Sequence, residues 1–169
     1  MTHTFVAVLM GSDSDLPTMQ STLDTLGALG IAREVKITSA HRTPDVTREY
    51  VMQAEPRGCK VFICAAGLAA HLAGAVAAHT LRPVIGVPME GGPLSGMDEA
   101  LLSTVMMPGG IPVASVAIGR AGAKNAAYLA AQILAGADDT LHQRLIDERA
   151  ANAEQIQQKD AALQAKLKR

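Results

Sequence analysis

The sequence predicts an α/β protein, a three-layer α/β/α sandwich around a parallel sheet, on three observations. Short continuous apolar runs recur at Phe5 to Met10, Val61 to Ala65 and Val84 to Val87, as strands buried on both faces require. Between these runs apolar residues return at helical spacing, so strands and helices alternate. The segments after the strands are rich in Gly, Ser, Asp and Pro, which are turn-forming residues.

Each element follows from its local pattern. After the first strand, Leu16, Met19, Leu23 and Leu26 mark a helix that begins near Asp15 and ends at Gly30. Ala32 to Ile37 reads as a second strand. Thr43-Pro44 opens a second helix, with Thr as N-cap and Pro at the first helical position; Val46, Tyr50 and Ala54 are expected on its inner face, and Pro56-Arg57-Gly58 stops it. The third strand leads through Gly67 to a helix expected over about Ala69 to Leu81, apolar nearly all round. After the fourth strand, Pro88 to Gly96 is a Gly- and Pro-rich loop of flap length. Asp98 to Val105 reads as a helix, Pro112 to Ile118 as a strand, and Ala123 to Leu134 as an Ala-rich helix.

Residues 1–137 thus form one α/β domain, and 138–169 a polar, helix-prone tail. Leu145, Ala153, Ile156 and Leu163 give that tail a thin apolar stripe, which suits packing on a neighbouring subunit.

Composition narrows the partners. The chain has 169 residues and a formal net charge of -1, so no basic face argues for nucleic acid. Phe5, Tyr50, Phe62 and Tyr128 are its only aromatics besides histidine, too few for a base-stacking platform. Cys59 and Cys64, on one strand, are expected to face opposite ways as reduced packing residues. The start of the chain lacks a signal-peptide pattern, and its apolar runs are too short to span a membrane. A cytoplasmic protein is the expectation.

Two loops concentrate chemistry at the carboxyl ends of the strands, where an open parallel sheet binds ligands. Gly11-Ser12-Asp13-Ser14-Asp15 offers backbone amides, hydroxyls and carboxylates. It fits either an ordinary strand–helix turn or a ligand loop; it has neither the P-loop lysine nor the dinucleotide glycine spacing. Ser39-Ala40-His41-Arg42-Thr43-Pro44 places an imidazole beside a guanidinium. His41 suits proton transfer near neutrality, and Arg42 suits phosphate through its planar fork, although a loop histidine and a surface charge remain the plain alternatives. His71 is either a hydrogen-bonded core histidine or a site group. His79, His142 and His3 read as structural, surface and terminal residues. No His or Cys pair has metal-ligand spacing, and no Gly-x-Ser-x-Gly elbow is present.

Taken in order, Met10 to Asp15, Ser39 to Pro44, Ala66 to Gly74, Gly86-Val87-Pro88, Leu94 to Asp98, Met107-Pro108 and Gly110 to Ala114 resemble the 5-(carboxyamino)imidazole ribonucleotide mutase family of purine synthesis. The resemblance runs from about Val6 to Leu145. It implies a flavodoxin-like subunit assembled as a homo-octamer, a small-molecule ribonucleotide substrate, and no metal, ATP or biotin cofactor. The implied reaction moves a carboxylate from an exocyclic nitrogen to ring carbon 4. His41 matches the family's general acid/base and Arg42 its phosphate ligand. Gly11, Ser12, Ser14, Asp15 and Ser39 match substrate-binding positions, while Gly67, Ala69, Ala70, His71 and Leu72 match the wall of the carboxylate pocket. The family often has glycine where Leu68 stands, serine where Gly91 stands, and Val-Gln-Met-Pro where this chain has Val105-Met106-Met107-Pro108.

Two other functions compete. A related branch carboxylates aminoimidazole ribonucleotide directly with carbon dioxide, but tends to carry Lys where this chain has Arg42. A non-catalytic nucleotide sensor on the same scaffold would need no titrating group over its ligand. A flavin module is disfavoured by the shortage of aromatics.

Overall fold

The computed structural model describes residues 3–90 and 97–167. Strands β1 (Phe5–Met10), β2 (Arg33–Ile37), β3 (Cys59–Ala66), β4 (Val84–Pro88) and β5 (Ala114–Ser115) form one parallel sheet in the order β2-β1-β3-β4-β5. The helices are α1 (Leu16–Ala28), α2 (Pro44–Arg57), α3 (Leu72–Ala77), α4 (Met97–Val105), α5 (Gly119–Ala135) and α6 (Asp139–Leu167). The fold class read from the sequence is the one observed.

Helices cover both faces of the sheet. On one face Phe5, Ala7, Leu9, Phe62 and Cys64 pack with Val51 and Ala54 of α2 and with Leu72, Ala73 and Val76 of α3. Gly86 of β4 faces the same way, where a side chain would collide with Thr104 of α4. Val87 points oppositely, as strand alternation demands, and meets Gly122 of α5. The Thr22 hydroxyl of α1 donates 2.7 Å to the Ala123 carbonyl, which ties α1 to α5 on that second face. Phe62 is fully buried between the layers, so its truncation to Ala would cost about 3–5 kcal/mol.

Several expectations need correction. The helix expected over Ala69 to Leu81 spans only Leu72–Ala77, so His71 caps its start and does not lie inside it. Leu68, at φ 55°, is left-handed and breaks any earlier helical turn. The strand expected over Pro112 to Ile118 is two residues long, and Ala117, at φ 125°, interrupts the extended backbone before α5. On α2 the buried residues are Thr47, Val51 and Ala54; Val46 is exposed, because the buried stripe is rotated by one residue. Thr43 does occupy the N-cap and Pro44 the first turn, but the Thr43 hydroxyl makes no cap bond.

Cys59 and Cys64 are free and buried, yet share one core cluster. The β1–β3 register shifts between Phe5 and Val6, where Lys60 is the extra residue, and this cancels the alternation that separated them. Gly58 closes α2 at φ 113°, and a side chain there would strike the backbone of His3. The expected flap falls partly on residues 91–96, outside the described residues.

The chain divides into two compact units, one up to Ala130 and one from Ala131. The second holds the end of α5 and all of α6. Asp138 receives the Leu141 amide at 3.0 Å at the start of α6, and Leu141 is buried, whereas residues 149–167 are exposed throughout. Among the described residues no helix is long and apolar enough to cross a membrane.

Candidate active site

The loops that follow β1, β2, β3 and β4 converge at the carboxyl rim of the sheet and enclose an open cleft of about 650 Å³. Gly11, Ser12, Ser14 and Asp15 come from the first loop, Ser39, His41 and Arg42 from the second, and Gly67, Leu68, Ala69, His71 and Leu72 from the third. Sheet order makes this possible. Neighbouring parallel strands lie about 4.8 Å apart, so the loops after β2 and β3 flank the β1 loop at about 10 Å from each other.

The first loop is a tight turn that satisfies its own polar groups. Gly11 N–H donates to the Ala65 carbonyl at 3.0 Å, pinning the turn to β3. The Ser12 hydroxyl accepts the Ser14 amide and the Asp15 carboxylate accepts the Ser12 amide, both at 3.2 Å, in a reciprocal capping box. Ser14 Oγ donates to Ser12 Oγ at 2.8 Å. Asp15 is largely buried, and that burial raises its carboxyl above the ordinary value of 3.8, with the Ser12 amide opposing the shift.

The second loop hangs on threonine hydroxyls. Thr38 extends the β1–β2 ladder through its amide to the Met10 carbonyl, at 2.9 Å. Its buried hydroxyl bonds Thr47 Oγ1 at 2.7 Å and Thr43 Oγ1 at 3.2 Å. Thr43 Oγ1 in turn accepts the Ser39 amide at 2.9 Å, which explains why it does not cap α2. Ser39 Oγ accepts the amides of His41 and Arg42, at 3.3 and 3.1 Å. Ser39 therefore shapes the loop that presents the imidazole and guanidinium. Arg42 Nη2 donates to the Gly11 carbonyl at 3.1 Å, which holds the guanidinium over the first loop.

The third loop brings His71 to His41. His41 Nε2 and His71 Nδ1 are 2.7 Å apart, and the rings meet edge to face with centroids 4.9 Å apart. One nitrogen must donate and the other accept, so this contact holds a single proton between two rings. Both side chains are exposed at the cleft. Leu68 also projects there, more than half exposed.

Every candidate residue named from the sequence lines this cleft except Ala70, which is buried behind it. Ala40, Ala66, Met89 and Glu90 line it without having been singled out. Their signal was positional: each lies at the carboxyl end of a strand of the same rim or in the segment just after one. Glu90 reaches toward the start of α5, where a side chain on Gly119 would come within 2.9 Å of its carboxylate. Among the described residues no three His, Cys, Asp or Glu side chains gather as metal ligands would. The arrangement offers a pair of hydrogen-bonded imidazoles, an anchored cation for an anionic group, and a carboxylate and hydroxyls in the first loop.

Residues 5–155 match the family described as AIR carboxylase. The N5-carboxyaminoimidazole ribonucleotide mutase of Bacillus subtilis is 53% identical over 150 residues, covering 89% of this chain and 91% of that protein. The protein of the same name from Escherichia coli K12 is 52% identical over 151 residues, covering 89% of each. Among solved structures, a single-residue variant of Treponema denticola PurE2 superposes with a TM-score of 0.86 at 28% identity, over 95% of this chain and 98% of its own. Treponema denticola PurE gives 0.83 at 29% identity, over 94% and 98%. With the ordered rim motifs, the shared sheet and a match over nearly its whole length, this chain belongs to the AIR carboxylase family.

Proposed function

We propose that the chain is an N5-carboxyaminoimidazole ribonucleotide mutase of purine biosynthesis. The carbamate C–N bond breaks, its electron pair returns to the nitrogen with a proton, and carbon dioxide is released into the cleft. Ring carbon 4 then attacks that carbon dioxide, and the proton it still carries leaves to restore aromaticity. Atoms balance without an added reactant, so the net change is an isomerisation.

His41 supplies and recovers the proton, as an imidazole can near neutrality. Arg42 binds the substrate phosphate, aided by the amides of the first loop. Asp15 accepts the ribose hydroxyls, Ser12 and Ser14 bind beside it, and Ser39 and Gly11 shape their setting. Gly67, Ala69, His71 and Leu72 wall the imidazole and carbon dioxide and limit competing water, with Ala70 packed behind them. The observation that carries this reading is the 2.7 Å contact between His41 and His71 at the mouth of a cleft that also holds Arg42.

Residues 1–137 act as one domain in a homo-octamer in the cytoplasm, with the tail from 138 packing on a neighbouring subunit. Exposed Met52, Leu81, Leu102 and Met106 support self-association, since such side chains gain by being covered.

The test is a turnover assay of purified protein on N5-carboxyaminoimidazole ribonucleotide, without added ATP or metal. Formation of the 4-carboxylate supports the mutase. Carboxylation of aminoimidazole ribonucleotide in bicarbonate, with no product from the carbamate, assigns direct carboxylation instead. Binding without either reaction assigns a nucleotide sensor.

A further inference from the structure

Among the described residues, nothing covers a long face of helix α6. Ile146, Ile156, Leu163 and Leu167 are 48%, 64%, 52% and 71% exposed, and Ala153 is exposed beside them. Together with Arg149 and Asp160 these residues fall on one seam. Ile146, Ala153, Asp160 and Leu167 repeat every seven residues, and Arg149, Ile156 and Leu163 repeat every seven in the complementary position. A polar helix of 29 residues with so narrow an apolar stripe gains little from packing on itself. Its internal side-chain bonds are short-range, such as Gln143 to Asp147 at 2.8 Å and Gln158 to Glu154 at 3.1 Å.

The two charges in the seam decide what covers it. We propose that α6 pairs antiparallel with α6 of a second copy of this chain, in the register that sets Arg149 against Asp160. That register also sets Ile146 against Leu163, and Ala153 against Ile156, so every seam residue from 146 to 163 finds a complementary partner. The pairing is two-fold symmetric and closes on itself. A parallel pair would instead face Arg149 with Arg149 and Asp160 with Asp160, a like-charge clash at two layers.

Among the described residues Arg149 has no ion-pair partner of its own, and the Asp160 carboxylate receives only a long 3.4 Å bond from Gln164. Both are therefore available to each other across the seam. A single charged pair within an apolar seam fixes register and orientation better than it adds stability.

This inference rests on the reading that the chain self-associates, and specifies one contact of that association. The test uses the full-length chain with Arg149→Cys and Asp160→Cys introduced together, and each alone, oxidised and run on a non-reducing gel. The native Cys59 and Cys64 are buried, so the unsubstituted chain stays monomeric on the gel. Along one helix positions 149 and 160 are about 16 Å apart, too far for a disulfide within a chain. The double variant is expected to move from the monomer band to a covalent dimer, while neither single variant does. Turnover assays on the variants confirm that the fold is intact, and light scattering on the unsubstituted chain reports its mass. Cross-linking of Arg149→Cys to itself would overturn the antiparallel register. An oligomer by light scattering without a covalent dimer in the double variant would overturn this pairing and leave self-association standing. A monomer by light scattering would overturn both.

Discussion

His41 Nε2 lies 2.7 Å from His71 Nδ1, although the two rings belong to loops that follow different strands. Strand β1 separates those strands, so the contact exists only because the sheet runs β2-β1-β3. With one proton between them, one ring donates and the other accepts, so a proton that His41 passes to a ligand changes what it can offer His71. Protonating both rings would set donor against donor and break the contact.

On the proposed function, Asp15 trades stability for ligand binding. Burial raises its carboxyl pKa in the fold above 3.8, so the stability associated with this group is complete below the unfolded value and declines as pH rises through the folded one. Asp15→Asn keeps an oxygen for the Ser12 amide and removes the buried charge. It is expected to raise Tm at pH 7, with the gain fading on acidification toward 3.8, while weakening ribonucleotide binding. Thermal melts across that pH range, beside a binding isotherm, check both halves.

Thr38 should act on catalysis without touching substrate. Its buried hydroxyl joins Thr47 and Thr43, and Thr43 holds the Ser39 turn that presents His41. Thr38→Val conserves shape and removes this bond, at a cost of about 0.5–1.5 kcal/mol, because Thr47 still donates to the Thr43 carbonyl. The expected result is a lower Tm together with a lower kcat; Thr38→Ser, which restores the hydroxyl, should recover most of the kcat. An unchanged kcat in Thr38→Val would leave the network a purely structural role.

Leu68 is strained where the loop after β3 turns. A leucine at φ 55° bears a penalty that glycine escapes, partly offset by the greater chain entropy glycine loses on folding. Leu68→Gly is expected to raise stability by about 0.5 kcal/mol and to widen the cleft, since the side chain projects into it. Leu68→Ala widens the cleft without relieving the backbone. Comparing the melting temperatures of the two variants separates strain from bulk.

Much of this was legible in the sequence, for physical reasons. β1, β3 and β4 announce themselves because strands buried on both faces admit only apolar residues. The Ser12, His41 and Arg42 loops stand out because they follow strands and mix charge with small residues. Helix α3 was overestimated because Ala and Leu favour helix wherever they stand, while the left-handed turn at Leu68 is invisible to local propensity. The Cys59–Cys64 arrangement needed the β1–β3 register, a long-range property. The threonine network was missed because Thr38 lies just past the expected strand and Thr47 one residue off the expected inner face of α2, and only burial reveals that their hydroxyls satisfy each other.

The central claim is that His41 moves the proton in the cleft, and the most direct test compares His41→Asn with the unsubstituted chain for turnover and for equilibrium binding of N5-carboxyaminoimidazole ribonucleotide. Loss of an acid/base group predicts a fall in kcat of about 10²–10⁴-fold with affinity nearly unchanged, because Arg42 and the first loop still hold the ligand. Turnover that survives in His41→Asn would contradict the account and return the cleft to a binding site without proton chemistry.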